Sequence, residues 1–288
     1  MCGGGYNGIY TVGVIDYLLK QQFFNISDIK TIYGTSAGGF VGVLLCLKLP
    51  WLTIIDYIVE RPWERDIVFS ADMIFNMISN KGMLDSSYIR LFFTKLLKAK
   101  NLSSDITLSE FYNFSNIHLF FFAMDVNTFE IVKISYKSHP NIKLIDAVFI
   151  TCSIPFIFQP TFINETYLVD GGVLCNYPLD YCIEDGADKD EILGVQFNLN
   201  KYKIRTIHKS TNVLSYSYYI FDKLVGVARK PPINTIANEV IVPCDNMNID
   251  VGVKIINEKE LRLQYINKGR EYAKLFISYK TKEQCSKN

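Results

Sequence analysis

Residues 29–47 read IKTIYGTSAGGFVGVLLCL, and this stretch decides the fold. Ile29 to Tyr33 is a short apolar run ended by Gly34, the pattern of a buried strand. Ser36 to Leu47 is apolar on nearly every side, the pattern of a buried helix. Between them, Gly34-Thr35-Ser36-Ala37-Gly38-Gly39 places a G-x-S-x-G motif at a strand-to-helix turn. A serine there is held in a strained backbone conformation that exposes its Oγ. Gly34 and Gly38 are needed because side chains would collide with neighbouring backbone. The positive end of the helix favours negative charge developing beside Ser36. Ser36 is therefore the candidate nucleophile.

Upstream, Gly3-Gly4-Gly5-Tyr6-Asn7-Gly8 leads into a predicted helix from Gly8 to Lys20, marked by Ile9, Val12, Ile15, Leu18 and Leu19. Consecutive glycines present N–H groups without side-chain obstruction. Gly3, Gly4 and Gly5 are candidate oxyanion donors, each worth roughly 3–4 kcal/mol when well placed. Gly3, Gly5 and Gly8 also fit G-x-G-x-x-G, a dinucleotide fingerprint. That reading needs a strand before the glycines and an acidic residue ending the next strand. The next strand runs into Gly34 and Ser36 instead.

Downstream, Leu168-Val169-Asp170-Gly171-Gly172 delivers an aspartate from an apolar strand onto a turn whose glycines admit close backbone. Pro178 closes this loop and keeps Tyr177 extended. An ordinary Asp-Gly turn is the plain reading. Beside the serine motif, a Ser36–Asp170 dyad is the sharper one. It requires burial, since an unperturbed carboxylate with a pKa of about 4 is a poor base at neutral pH. His118, His139 and His208 are expected at the surface. A Ser-His-Asp triad would use His208, the one late in the chain.

At 288 residues, 49% hydrophobic and 14% aromatic, the chain fits one large domain. Such a domain buries roughly three quarters of its unfolded surface. Leu119–Val126, Glu191–Phe197 and Glu239–Val242 read as further core strands. A last helix runs from about Glu258 to Tyr279 with Asn257 as N-cap. Alternating strands and helices imply an α/β fold with a mainly parallel sheet covered on both faces. Lys48 to Ser115 is expected as a helical insertion over one side. The aromatic-rich stretch from Val213 to Leu224 reads first as a core helix and second as an interfacial anchor.

A net charge of +1 and a pI near 7.5 leave no footprint for nucleic acid. The basic run through Lys201, Lys203, Arg205, His208 and Lys209 reads as a solvated face. Seven cysteines, none at Cys-x-x-Cys spacing, support neither a metal site nor a disulfide framework, and point to a reducing interior such as cytosol. No signal peptide is visible. The longest apolar stretch, Phe40 to Leu47, is too short to span a bilayer.

Together these segments resemble the patatin-like phospholipases. The Gly3–Gly8 loop is similar to the family's oxyanion segment, Gly34 to Gly38 to its nucleophile elbow, and Asp170-Gly171-Gly172 to its aspartate motif. Asn176 and Pro178 match residues that often follow. Lys81-Gly82-Met83-Leu84-Asp85 and Thr151-Cys152-Ser153-Ile154-Pro155-Phe156 add secondary matches. The motifs fall within residues 3–180. The resemblance implies a three-layer α/β/α sandwich over residues 1–245, with a C-terminal helical extension, 246–288, packed on the same domain.

It also implies hydrolysis of glycerolipid or phospholipid esters without metal or cofactor, in lipid catabolism. Ser36 and Asp170 would form the dyad and Gly3, Gly4 and Gly5 the oxyanion hole, with Gly8, Gly34, Gly38, Gly171 and Gly172 supporting the motifs. Two features depart from the pattern. Asn7 stands where Arg or Lys is usual, and only Met1 and Cys2 occupy the place of a hydrophobic strand before the glycines. They motivate a second expectation, a catalytically impaired lipid-binding or scaffolding relative. A lipid substrate implies peripheral membrane contact, added to the cytoplasmic location expected from the cysteines.

Overall fold

In the computed structural model, which describes residues 1–67, 72–199, 207–211, 213–245 and 247–287, the first elements are α1 (Gly8–Lys20), β1 (Thr31–Thr35) and α2 (Ala37–Cys46). All-round apolarity in α2 has the expected result: every residue but Phe40 is buried. There follow α3 (Trp51–Glu60), α4 (Trp63–Asp66), α5 (Asp72–Asn80), β2 (Gly82–Leu84), α6 (Ser87–Lys98) and α7 (Leu108–Ser115). This segment, expected as an insertion over one side, belongs to the main core. Trp51, Ile54, Phe93 and Leu97 share one buried cluster with Ile32 of β1 and Leu44 of α2.

The second half contains β3 (His118–Asp125), β4 (Ile131–Ile134), α8 (Leu144–Cys152), β5 (Phe156–Phe158), β6 (Thr161–Ile163) and β7 (Thr166–Asp170). After these come α9 (Leu179–Glu184), β8 (Gly194–Leu199), α10 (Val213–Ala228), β9 (Glu239–Cys244), α11 (Ile249–Asn257) and α12 (Lys259–Lys287). The α/β architecture holds, and the central sheet is mixed. β1 pairs with β3 in parallel, whereas β3 pairs with β4 and β7, and β7 with β6, antiparallel. The parallel pattern gives way where the chain returns through hairpins. Between β6 and β7 the turn is two residues, Asn164 and Glu165, both at positive φ, as a type I′ turn requires.

β8 and β9 pair in parallel, and Pro243 lies within β9 rather than ending it. Among the described residues β9 has only β8 as a strand neighbour, and an edge is where a sheet tolerates proline. Met1 and Cys2 join this pair to the central sheet. The Met1 nitrogen donates to Tyr33 O at 2.7 Å and the Thr35 amide to Met1 O at 3.3 Å. On the other side the Cys2 amide donates to Val195 O at 3.1 Å. Met1 and Cys2 thus bridge the two sheets immediately before the glycines.

The helix expected from about Glu258 is α12, and a further helix, α11, precedes it, so Asn257 is not the N-cap it was expected to be. Asn257 ends α11, and Asn248 caps it by accepting the Asp250 amide at 2.8 Å. α12 packs along α1. Buried Arg262 fastens α12 to α3 by donating to the carbonyls of Val59 and Arg61, and it also reaches Ile255 and Ile256.

Candidate active site

Ser36 sits between β1 and α2 with φ 52° and ψ −123°, a backbone region costly for a residue with a side chain. A Cβ on Gly34 would lie 2.5 Å from the Gly39 nitrogen, so the strand and helix meet this closely only with glycine there. Thr151 at the end of α8 holds the turn. Its hydroxyl accepts the Ser36 amide at 2.9 Å and donates to Phe122 O at 2.7 Å.

Asp170 ends β7. Its amide donates to Ser153 O at 3.0 Å, and its Oδ1 accepts the Gly172 amide at 2.7 Å across the tight turn Gly171–Val173. Ser36 and Asp170 line the same cavity, near enough for the serine hydroxyl to favour the charged carboxylate, and both residues are only 4% exposed. Burial raises the Asp170 pKa to about 6, against the nearby Ser36 hydroxyl, the hydrogen bond from the Gly172 amide and the charge of Arg229. The shift is in the direction a base at neutral pH needs. Cys152 is buried at the end of α8, next to Thr151. Burial, with Asp170 adding to it, holds that thiol well above its ordinary range, so it is neutral.

The glycine loop is sewn onto both other loops. The Gly3 amide donates to Asn176 O at 2.9 Å, and Asn176 Nδ2 returns a bond to Gly3 O at 3.0 Å. Thr35 Oγ1 donates to Cys175 O at 3.0 Å. A Cβ on Gly3 would lie 3.0 Å from Ser36 Cβ and 2.7 Å from Asn176 Oδ1, which fixes how closely the loop covers the serine. The three sequence motifs, 134 residues apart from Ser36 to Asp170, therefore converge. One detail differs from expectation. The Gly3 amide is already engaged, whereas the amides of Gly4 and Gly5 donate to no backbone carbonyl among the described residues.

Above Ser36 and Asp170 lies a cavity of about 80 Å³ roofed by α10. Tyr218, Phe221, Asp222 and Val225 of that helix line it, with Arg229 just beyond its end. Arg229 Nε donates to Gly172 O at 2.8 Å, beside Asp170. Asn7 is buried in the same wall and donates to Asp245 O at 3.3 Å. None of the three histidines lines this cavity. His118 sits among Phe120 and Tyr136, and His139 contacts Ser138. His208 is exposed. Lys201, Lys203 and Arg205 lie outside the described residues.

The α10 contribution was missed by sequence reading. Its signal was present: Tyr218, Phe221, Asp222, Val225 and Arg229 recur on one helical face, and two of the five are charged.

In comparison with known proteins, residues 1–183 match the family described as patatin-like phospholipase. The chain is 23% identical over 282 residues to the probable lipid hydrolase 463L of Invertebrate iridescent virus 6, covering 96% of this chain and 87% of that protein. It is 23% identical over 245 residues to the uncharacterized protein R571 of Acanthamoeba polyphaga mimivirus, covering 84% and 79%. Among solved structures it is similar in fold to VipD from Legionella pneumophila, with a TM-score of 0.55 at 14% identity. That match covers 96% of this chain and 66% of VipD, so the chain spans just under two thirds of that protein.

Proposed function

The chain belongs to the patatin-like phospholipase family, a family of carboxylic ester hydrolases, and from that premise we propose a lipid acyl hydrolase with Ser36 as nucleophile and Asp170 as base. One observation carries the reading: a buried serine on strained backbone shares a cavity with a buried aspartate whose pKa burial has raised to about 6. Ordinary surface aspartates are too weak as bases for this work.

In the proposed reaction Ser36 Oγ attacks the acyl carbonyl carbon while its proton passes to Asp170. The carbonyl oxygen becomes an oxyanion, received by the amides of Gly4 and Gly5, with the start of α2 adding its dipole. Collapse of this intermediate breaks the ester C–O bond, and the departing alcohol takes the proton from Asp170. Water then attacks the acyl-serine, again giving its proton to Asp170, and the fatty acid leaves with Ser36 restored. Apolar Phe221 and Val225 in the cavity wall suit an acyl chain, and Arg229 suits an anionic headgroup. Among the described residues no helix is long and apolar enough to cross a membrane.

The test is labelling with a fluorophosphonate probe alongside hydrolysis of a glycerolipid ester. Wild type is expected to label and to hydrolyse. Ser36→Ala should lose both, and Asp170→Asn should lose at least about a hundredfold in rate. A folded wild-type chain that neither labels nor hydrolyses would sink the proposal.

A further inference from the structure

α10 carries two apolar faces. One closes the cavity over Ser36. On the other, Val213, Tyr216, Ile220, Leu224 and Val227 are 72, 50, 41, 63 and 87% exposed. Steps of three, four, four and three residues place them in a single stripe along the full helix. A continuous apolar stripe of this kind marks an interaction surface rather than scattered exposure.

Among the described residues, Lys209 precedes the helix, Lys223 lies on it and Lys230 follows it. Lys209, Lys223 and Lys230 are exposed, whereas Asp222 lines the cavity. We propose that the outer face of α10 docks on an anionic lipid surface. The apolar stripe enters the headgroup–acyl boundary and the lysines meet headgroup phosphates and carboxylates. A second copy of the chain fits less well. A two-fold contact along this face would bring the exposed lysines of both copies to one interface, where like charges repel. The proposal rests on the hydrolase reading for its purpose, which is to bring lipid to the cavity directly beneath the docked helix.

Binding is best measured on Ser36→Ala protein, so that it is read without turnover. Co-sedimentation is expected with phosphatidylcholine vesicles containing phosphatidylserine, and should be weaker with phosphatidylcholine alone. Leu224→Asp with Val227→Asp should lower partitioning by at least about tenfold while the melting temperature holds, because neither residue is buried. Lys223→Gln with Lys230→Gln should lower it severalfold on the anionic vesicles only. Absence of binding at low salt, or equal binding by all variants, would overturn the proposal. So would gel filtration showing a dimer that the aspartate substitutions dissociate. Wild-type ester hydrolysis is assayed separately, so failed docking and failed catalysis give different results.

Discussion

The Thr151 hydroxyl accepts the Ser36 amide at 2.9 Å while donating to Phe122 O at 2.7 Å, so one side chain ties the elbow to strand β3. All three groups are buried. Thr151→Val keeps the shape and removes both bonds, leaving a buried donor and acceptor unpaired. It should cost roughly 2–4 kcal/mol, read as a lower urea midpoint. Turnover should fall as well, because the positive φ of Ser36 loses its support. Thr151→Ser keeps the hydroxyl and should lose only about 1 kcal/mol, for the missing methyl. Equal stability of the two variants would remove Thr151 from this role.

The elbow and the aspartate turn were legible in sequence because their causes are local. Gly34 to Gly38 and Asp170 to Gly172 carry their steric requirements in adjacent residues. Met1 and Cys2 were not legible as a bridge between the two sheets. Two residues have no periodicity, and their pairing depends on Tyr33 and Val195, which are far away in the chain. Arg229 belongs to no motif and reaches Gly172 only because α10 crosses the cleft. The mixed sheet was hidden for a related reason. β6 and β7 are three and five residues long, too short for alternation to reveal a hairpin. The segment from Lys48 to Ser115 looked peripheral in sequence order, yet its apolar faces find the central core only in three dimensions.

The crossing of α1 and α12 offers a stability test with an internal control. A Cβ on Gly13 would lie 1.9 Å from Ile266 O, and one on Gly269 would lie 2.1 Å from Tyr10 O. Both obstacles are helix backbone and cannot swing aside. Gly13→Ala and Gly269→Ala should each destabilise by about 3 kcal/mol or more, as the helices are forced apart. A Cβ on Gly226, on the exposed side of α10, meets nothing. Gly226→Ala should stabilise by up to about 1 kcal/mol through helix propensity alone. Chemical denaturation of the three variants checks the contrast in sign.

Arg229 moderates the proposed base, whose strength burial sets. Its charge lowers the Asp170 pKa against the dominant effect of burial. Arg229→Met should therefore let that pKa climb, and the rising limb of kcat/KM against pH should move to higher pH. Arg229→Lys should move it less, because the charge remains while the paired contact to Gly172 O is lost. A profile that stays fixed in Arg229→Met would show that the guanidinium acts only as a fastening between α10 and the aspartate turn.

Asp170 and His118 pull the pH dependence of stability in opposite directions. Burial raises Asp170 from 3.8 to about 6. Between those values the unfolded chain has released the proton that the folded chain still holds, so stability falls as pH rises. The loss amounts to roughly 3 kcal/mol in total and grows no further above about pH 6. Burial, with Lys137 and Lys133 nearby, lowers His118 from 6.5 to about 4, opposed by Asp185. Here the unfolded chain takes up the proton first, so stability falls as pH drops from 6.5 towards 4. In wild type the two windows overlap and offset each other. Asp170→Asn removes the first and should stabilise the protein at pH 8 by an amount on the order of 2–3 kcal/mol, with little gain at pH 4. Its urea midpoint should then decline on acidification below 6.5, the uncovered contribution of His118. His118→Phe should do the reverse, leaving a protein that strengthens from pH 6 down to 4 as Asp170 gains its proton. Parallel midpoints for wild type and Asp170→Asn from pH 4 to 8 would mean that this carboxyl is not displaced, and that Ser36 has no strengthened base beside it.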